Sequence, residues 1–135
     1  MMFGALDIST SALVAQRTRI ETISANLANS KSIYDAKGNY APYRRRIPIF
    51  APGDPARGND KGVHVAQIVF DRTPFRKVHL PGHPNADAEG MVEYPNIEQA
   101  MEMINTLEAS WAYEANITAA EATKNMTQTA MRLLA

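Results

Sequence analysis

Leu6, Leu13, Ile20 and Leu27 recur every seven residues near the start of the chain, and Ile23 falls three after Ile20. From Ala5 to Asn29 there is no proline, and no glycine follows Gly4, so the spacing predicts one helix over that stretch. Most other positions are small or polar (Ser9, Thr10, Ser11, Ala12, Ala15, Gln16), which leaves an apolar stripe too narrow to stabilise the helix alone. Asp7 or Ser9 is expected to cap its start.

A second helical pattern occupies the other end. After Asn96, proline and glycine vanish, and Ile97, Met101, Ile104, Trp111, Ala115, Ala122, Met126, Ala130 and Leu133 step round the helix at threes and fours. Asn96, two before Glu98, is a reasonable start. Glu98, Glu102, Glu108, Glu114 and Glu121 precede Lys124 and Arg132, the order the helix dipole favours. A continuous helix here would run about 60 Å, far too long for a compact domain of this size.

Residues 31–95 have a different character, because all eight prolines of the chain lie there and forbid long helices. Gly62–Phe70 is rich in β-branched residues and reads as a strand, Tyr43–Phe50 as a second and Phe75–Leu80 as a shorter third. Residues 51–62, APGDPARGNDKG, read as a turn-rich loop. The expected fold is mainly α with a small β insert, an α+β chain: an N-terminal helix over 1–30, a proline-rich β-containing insert over 31–95 and a long C-terminal helix over 96–135. Its terminal helices form a coiled-coil-like unit, and their thin stripes, with Ala and Met supplying much of the contact, are expected to stay poorly ordered until other copies cover them.

Charge sharpens this picture. The chain has 135 residues, enough for one domain, and 14 basic against 14 acidic side chains, which argues against a dominant nucleic-acid footprint. The balance hides an asymmetry: residues 31–95 carry net +3 and residues 96–135 net −3, so the middle and the tail attract each other, within or between subunits. There is no cysteine, which excludes disulfides and thiolate metal sites. The opening residues lack the basic and apolar regions of a cleaved secretory signal, and no stretch approaches the roughly 20 apolar residues that span a bilayer.

Candidate chemistry is sparse. His79 and His83 have the spacing of helical metal ligands, but Pro81 and Gly82 between them prevent a helix from presenting both, and His64, Asp87 and Glu89 complete no known ligand pattern. Arg44, Arg45 and Arg46 lie beside Tyr40 and Tyr43, yet in a strand they divide between two faces, which disfavours one nucleic-acid or lipid patch. Contact of these arginines with acidic residues of a neighbouring subunit, such as Glu98 and Glu102, suits the charge asymmetry better. Trp111, Met101, Met103 and Met126 read as packing residues rather than a cofactor pocket. No nucleophile motif or phosphate-binding glycine loop occurs, so no enzymatic activity, cofactor or metal is expected.

Asn26 and Asn29 share one helical face beside the Ile20, Ile23, Leu27 seam, and Asn116 occupies a comparable place on the last helix. Asn29 has a local reading as the residue that ends its helix, since asparagine tolerates the left-handed conformation. Asn26 does not, and the sharper reading is that these amides bond to a neighbouring helix and fix its register.

SANLAN at 24–29, ASWAYEANI at 109–117 and PGHPNADAEGMVEYPNIEQAMEMIN at 81–105 resemble the flagellar basal-body rod proteins, and among them the short proteins of the proximal rod. The resemblance spans almost the whole chain, with 31–75 the least diagnostic part; where such proteins often carry arginine or another polar residue, this chain has Trp111. It implies a non-enzymatic axial subunit whose terminal helices pack into a tubular inner layer while the insert faces outward. Implied partners are other copies, related rod proteins, a rod-to-membrane-ring adaptor and the flagellar type III export apparatus, which exports without a cleaved signal to a periplasmic rod. No nucleic acid and no membrane span are implied. The residues expected at subunit interfaces are Leu6, Leu13, Ile20, Ile23, Asn26, Leu27 and Asn29 on the first helix and Ile104, Trp111, Tyr113, Asn116 and Met126 on the last. The alternative is a soluble helical adaptor or binding module that forms a closed oligomer.

Overall fold

The computed structural model describes residues 2–135, with side chains from residue 4 onward. Helix α1 spans Met2–Ala28, followed by strands β1 (Arg46–Asp54) and β2 (Asn59–Phe70), the short strands β3 (Arg76–His79) and β4 (Met91–Tyr94), and helix α2 (Gln99–Leu134). Two long terminal helices thus flank a small antiparallel strand region, the α+β arrangement expected. At 36 residues α2 is about 54 Å long. Gln99 Nε2 donates to Ser30 Oγ at 3.0 Å, and Arg19 pairs with Glu108 at 3.3 Å. One position descends as the other climbs, so the helices are antiparallel.

The expected helix caps are corrected. Because α1 is already helical from Met2, Asp7 and Ser9 lie inside it: Ser9 is buried, and Asp7 pairs with Arg57 at 2.7 Å. At α2 the N-cap is Glu98, with extended backbone and no capping bond from its side chain. Asn96 instead donates to Thr73 Oγ1 at 2.9 Å, tying the entry of α2 to the loop after β2.

The strands form two separate two-stranded antiparallel sheets. In the larger, Arg46 faces Phe70 and Asp54 faces Asn59, with irregularities between Ile49 and Phe50 and between Pro52 and Asp54. The segment expected to be a loop over 51–62 is therefore mostly ladder, closed by a 3-10 turn at Pro55–Arg57. Pro48 and Pro52 are tolerated because β1 pairs on one side only, and the bulges absorb the change of register. In the smaller sheet β3 meets β4, an unexpected strand, with Val78 opposite the fully buried Val92.

The large hairpin docks on α1 by a close approach. Ser11 Oγ donates to Ile8 O at 2.7 Å and accepts the Val63 N–H at 3.1 Å. Gly62 sits next to it at φ +93°, where a Cβ would run into Ser11 Oγ. The second sheet is tied to the chain after α1 by Tyr40, whose hydroxyl accepts the Glu93 N–H at 2.8 Å and donates to Glu93 O at 3.2 Å.

The buried set is as polar as it is apolar: Ala15, Ile23, Ile33, Val92, Ile97 and Ala109 stand beside Ser9, Ser11, Thr22, Asn26, Ser30, Glu102 and Thr123. Helical hydroxyls bear this burial because they return a bond to their own backbone, Thr22 to Thr18 O at 2.8 Å and Thr123 to Ala119 O at 2.9 Å. Specific bonds thus hold the stem alongside apolar contact.

Candidate assembly interface

Helix α2 presents two faces, and the apolar one is turned outward. Its inward seam is Glu102, Ala109, Asn116 and Thr123, spaced by sevens, with Glu102, Ala109 and Thr123 buried and Asn116 half-buried. On α1 the buried positions include Ser9, Ala15, Thr22, Ile23 and Asn26, whereas Leu6, Leu13, Ile20 and Leu27 are half-buried. The expectation that Ala and Met supply much of the contact between the two stripes is thereby corrected in part: Ala15 and Ala109 are buried with small and polar residues, and the methionines of α2 stay outside.

The outer face of α2 carries Met103, Ile104, Leu107 and Trp111, which are 61%, 49%, 52% and 64% exposed. Positions 104, 107 and 111 follow one another at three and four residues, on one side of the helix. Such a row on the outside of a chain this short is an unpartnered apolar surface. Met126 is also exposed, as are Met131, Leu133 and Leu134 near the end of α2 and Ile8 and Val14 on α1.

Arg44 and Arg45 are satisfied within the chain. Arg45 Nε donates to Glu102 Oε1, and its guanidinium lies 3.9 Å from Asp71. The expected contact of these arginines with a neighbour's Glu102 is corrected, because the pair closes between the segment before β1 and α2 of one chain. Arg44 stacks over the Phe75 ring at 3.9 Å and donates to Thr73 O at 3.0 Å, and Arg46 lies 5.5 Å over Tyr43. Asp71 accepts the Thr73 N–H at 2.9 Å, the main reason its carboxyl is held below the usual value, with Thr73 Oγ1 and the charges of Arg45 and Arg44 adding to it. The positive middle and negative tail meet here.

The asparagines divide as their surroundings dictate. Asn26, 1% exposed, donates through Nδ2 to Arg46 O at 2.9 Å, and its Oδ1 accepts the Arg46 N–H at 2.9 Å and the Tyr43 hydroxyl at 3.2 Å. Its neighbour is thus a strand of the same chain, not another helix. Asn29 donates to Ala25 O and accepts from Ser32 Oγ, closing the end of α1 locally. It does so without the left-handed backbone, since no described non-glycine residue has positive φ. Asn116 donates to Ala112 O within α2, at 2.7 Å.

Of the residues expected at interfaces, Ile104, Trp111 and Met126 lie on the surface, whereas Ile23 and Asn26 are consumed inside the chain. Leu6, Leu13, Ile20, Leu27, Asn29, Tyr113 and Asn116 are half-buried. The sequence reading left Met103 among packing residues and missed Leu107 and Val14. The signal for Met103 and Leu107 was an apolar side chain on a helix whose opposite seam already holds Ala109, Asn116 and Thr123.

Two grooves open on the stem. One, about 530 Å³, lies between the middle of α1 and the hairpin tip, walled by Val14, Pro55, Val63 and Val65. The other, about 430 Å³, lies between α1, β1 and α2, walled by Ile23, Ile47, Pro48, Ile49 and Phe50, with Glu102 lining it. Two of the histidines bond backbone groups: His64 Nδ1 bonds Gly53 O at 2.8 Å, and His83 Nδ1 accepts the Asn85 N–H at 3.1 Å. Among the described residues no group of three or more His, Cys, Asp or Glu is placed to hold a metal ion. No described helix is long and apolar enough to cross a membrane.

Comparison with known proteins agrees with this geometry. Residues 6–30 match the family described as flagella basal body rod protein, and residues 88–133 match the flagellar basal body rod FlgEFG protein C-terminal family. These segments cover most of α1 and nearly all of α2. Over 125 residues, the chain is 38% identical to the flagellar basal-body rod protein FlgC of Yersinia enterocolitica, with 93% of this chain and 92% of that protein aligned. It is 40% identical to the FlgC of Salmonella typhimurium over the same shares, and 36% identical to that of Bacillus subtilis over 97% of each. With two antiparallel terminal helices, an outward apolar row and this similarity across nearly its full length, the chain belongs to the FlgC family of flagellar basal-body rod proteins.

Proposed function

We propose that the chain is a structural subunit of the proximal rod, and that the outer face of α2, with the half-buried stripe of α1, packs against neighbouring subunits. The observation that carries this is the row Met103, Ile104, Leu107 and Trp111, exposed on a helix whose inward seam is small and polar. A helix that turns a small and polar seam inward and an apolar row outward is half of a larger core. Rods require heterologous contacts that repeat about a screw axis, and two helices with several apolar surfaces each supply many modest ones. The insert, tied to the stem by Asn26, Ser11 and Arg45, faces outward in this reading, so that torque passes through directional bonds as well as apolar packing.

The rod setting brings further partners: related rod proteins above and below, and an adaptor to the membrane rings. Export through the flagellar type III apparatus, without a cleaved signal, to a rod in the periplasm fits a chain with no cysteine and few large buried side chains. The role is mechanical, with no reaction to catalyse. The closed-oligomer adaptor loses ground, because its apolar face would be shared by two-fold symmetry, whereas the relatives named above are rod proteins.

The test is incorporation. Leu107→Asp places a charge on the outer face without touching the inward seam, so circular dichroism of the purified chain is expected to stay the same while the chain disappears from purified basal bodies. Leu13→Asp and Ile20→Asp, on the half-buried stripe, are expected to do likewise with synthesis intact. Normal amounts of the three variants in basal bodies would refute the reading.

A further inference from the structure

The groove between α1, β1 and α2 has a chemical asymmetry that narrows what fits it. Glu102 is 1% exposed; its Oε1 is taken by Arg45, and its Oε2 has no donor among the described residues. A buried carboxylate oxygen left without a donor is costly, and it discriminates strongly in favour of any group that supplies one. Anions are disfavoured by that oxygen, and free cations by Arg19, Arg45 and Arg46, which also line the groove. What remains is a neutral N–H or O–H donor on an apolar body, matching walls of Ile23, Ile47, Ile49 and Phe50. The exposed Arg46 adds a guanidinium that favours the face of an aromatic ring.

The chain itself carries such a group. Trp111 is its single tryptophan, the most exposed aromatic side chain on α2, and its indole N–H makes no hydrogen bond among the described residues. Indole is donor-only, and when buried it takes an acceptor. Tyr34, Tyr40 and Tyr43 already spend their hydroxyls inside the chain, and Tyr94 and Tyr113 are half-buried, whereas Trp111 stands out from the surface. Glu102 and Trp111 are nine residues apart on one helix, which puts them on opposite sides of α2. One chain therefore cannot fill its own groove, and a contact from groove to indole leaves a free groove and a free indole at its two ends.

We propose that Trp111 of one copy seats in this groove of the next, and that the Glu102 side chain, whose Oε2 is buried in the free chain, turns toward the groove to accept the indole N–H, so that the contact repeats head to tail without closing. The proposal rests on the rod reading and names the partner surface within it. It also gives the Arg45–Glu102 pair a second role, because Arg45 occupies one carboxylate oxygen and leaves the other for a donor that arrives with the neighbour.

The test uses the absence of native cysteine. Trp111→Cys chains and Ile49→Cys chains are co-expressed in cells lacking the unsubstituted chain, and purified basal bodies are oxidised and run on non-reducing gels. A dimer that requires both variants is expected, and it is lost when Lys37→Cys replaces Ile49→Cys. Exclusion of Trp111→Cys from basal bodies that accept Ile49→Cys would also support the contact, as loss of the seated indole. Incorporation of both chains without the mixed dimer, or a dimer formed by Trp111→Cys alone, would overturn the contact and leave the rod reading standing. Absence of the unsubstituted chain from basal bodies would overturn the rod reading, and the contact with it.

Discussion

The side chain of Asn26 bonds both backbone groups of Arg46, donating to its carbonyl at 2.9 Å and accepting its N–H at 2.9 Å, as a neighbouring strand would. A helix thereby completes the ladder at the start of β1, and a side-chain amide is the only group that offers donor and acceptor side by side at that reach. Asn26 weakens α1 as a helix in order to fix the insert to it.

Asn26→Ala leaves the Arg46 N–H and C=O without these partners and removes the acceptor of the Tyr43 hydroxyl. The expected loss is about 2–3 kcal/mol, the scale for buried polar groups stripped of their bonds. Asn26→Asp retains the acceptor but puts a charge against the Arg46 carbonyl, so it is expected to rescue little. Urea unfolding followed by circular dichroism checks both. An Asn26→Ala change within a few tenths of a kcal/mol of the unsubstituted chain would contradict the assignment.

What the sequence disclosed follows from which interactions are local. Periodicity located both helices and the apolar stripe of α2, because shared spacing means a shared face. It did not say what that face meets, and Ile104 and Trp111 turned outward because Glu102, Ala109 and Thr123 supply the contact with α1. The four-residue β4 was hidden by its length and by Pro95 just after it. The hairpin over 51–62 was hidden by Pro52, Gly53 and Pro55, which usually mark loops and here occupy bulges and a tight turn. Asn26 was singled out by its side chain, but its partner lies twenty residues away in a strand, a distance that helical spacing does not address.

Gly62→Ala tests the docking of the hairpin. The backbone at φ +93° is strained for any L side chain, and the new methyl group would meet Ser11 Oγ, so the hairpin must back away from α1. About 1–3 kcal/mol is expected from the backbone conformation alone. Faster hydrogen exchange at Val63, whose N–H bonds Ser11, is the expected local sign. Unchanged exchange there would contradict the close approach.

The loops of the insert are expected to loosen in acid. Asp35 accepts N–H bonds from Asn39 and Lys37, Asp87 from Met91 and Glu89, and Asp71 from Thr73, and in each case the first-named backbone bond is the main reason the carboxyl lies below its usual value of 3.8. A carboxyl whose folded value is depressed adds stability that is complete above 3.8 and is lost as pH falls through the lower folded value. Resonances of residues 35–39 and 87–91 are therefore expected to shift below about pH 4, with α2 less affected. Carboxyl titration curves centred above 3.8 for these three aspartates would contradict this.

The most direct measurement is the accessibility of position 107 before and after assembly. In a Leu107→Cys chain the thiol is the only one present, on the outer face of α2 and away from the inward seam. Maleimide is expected to label it rapidly in the purified chain and hardly at all in isolated basal bodies, while Lys37→Cys, on the exposed turn of the insert, labels in both. Equal labelling of Leu107→Cys in the free chain and in the rod would mean that the apolar face stays bare, and the account would fail.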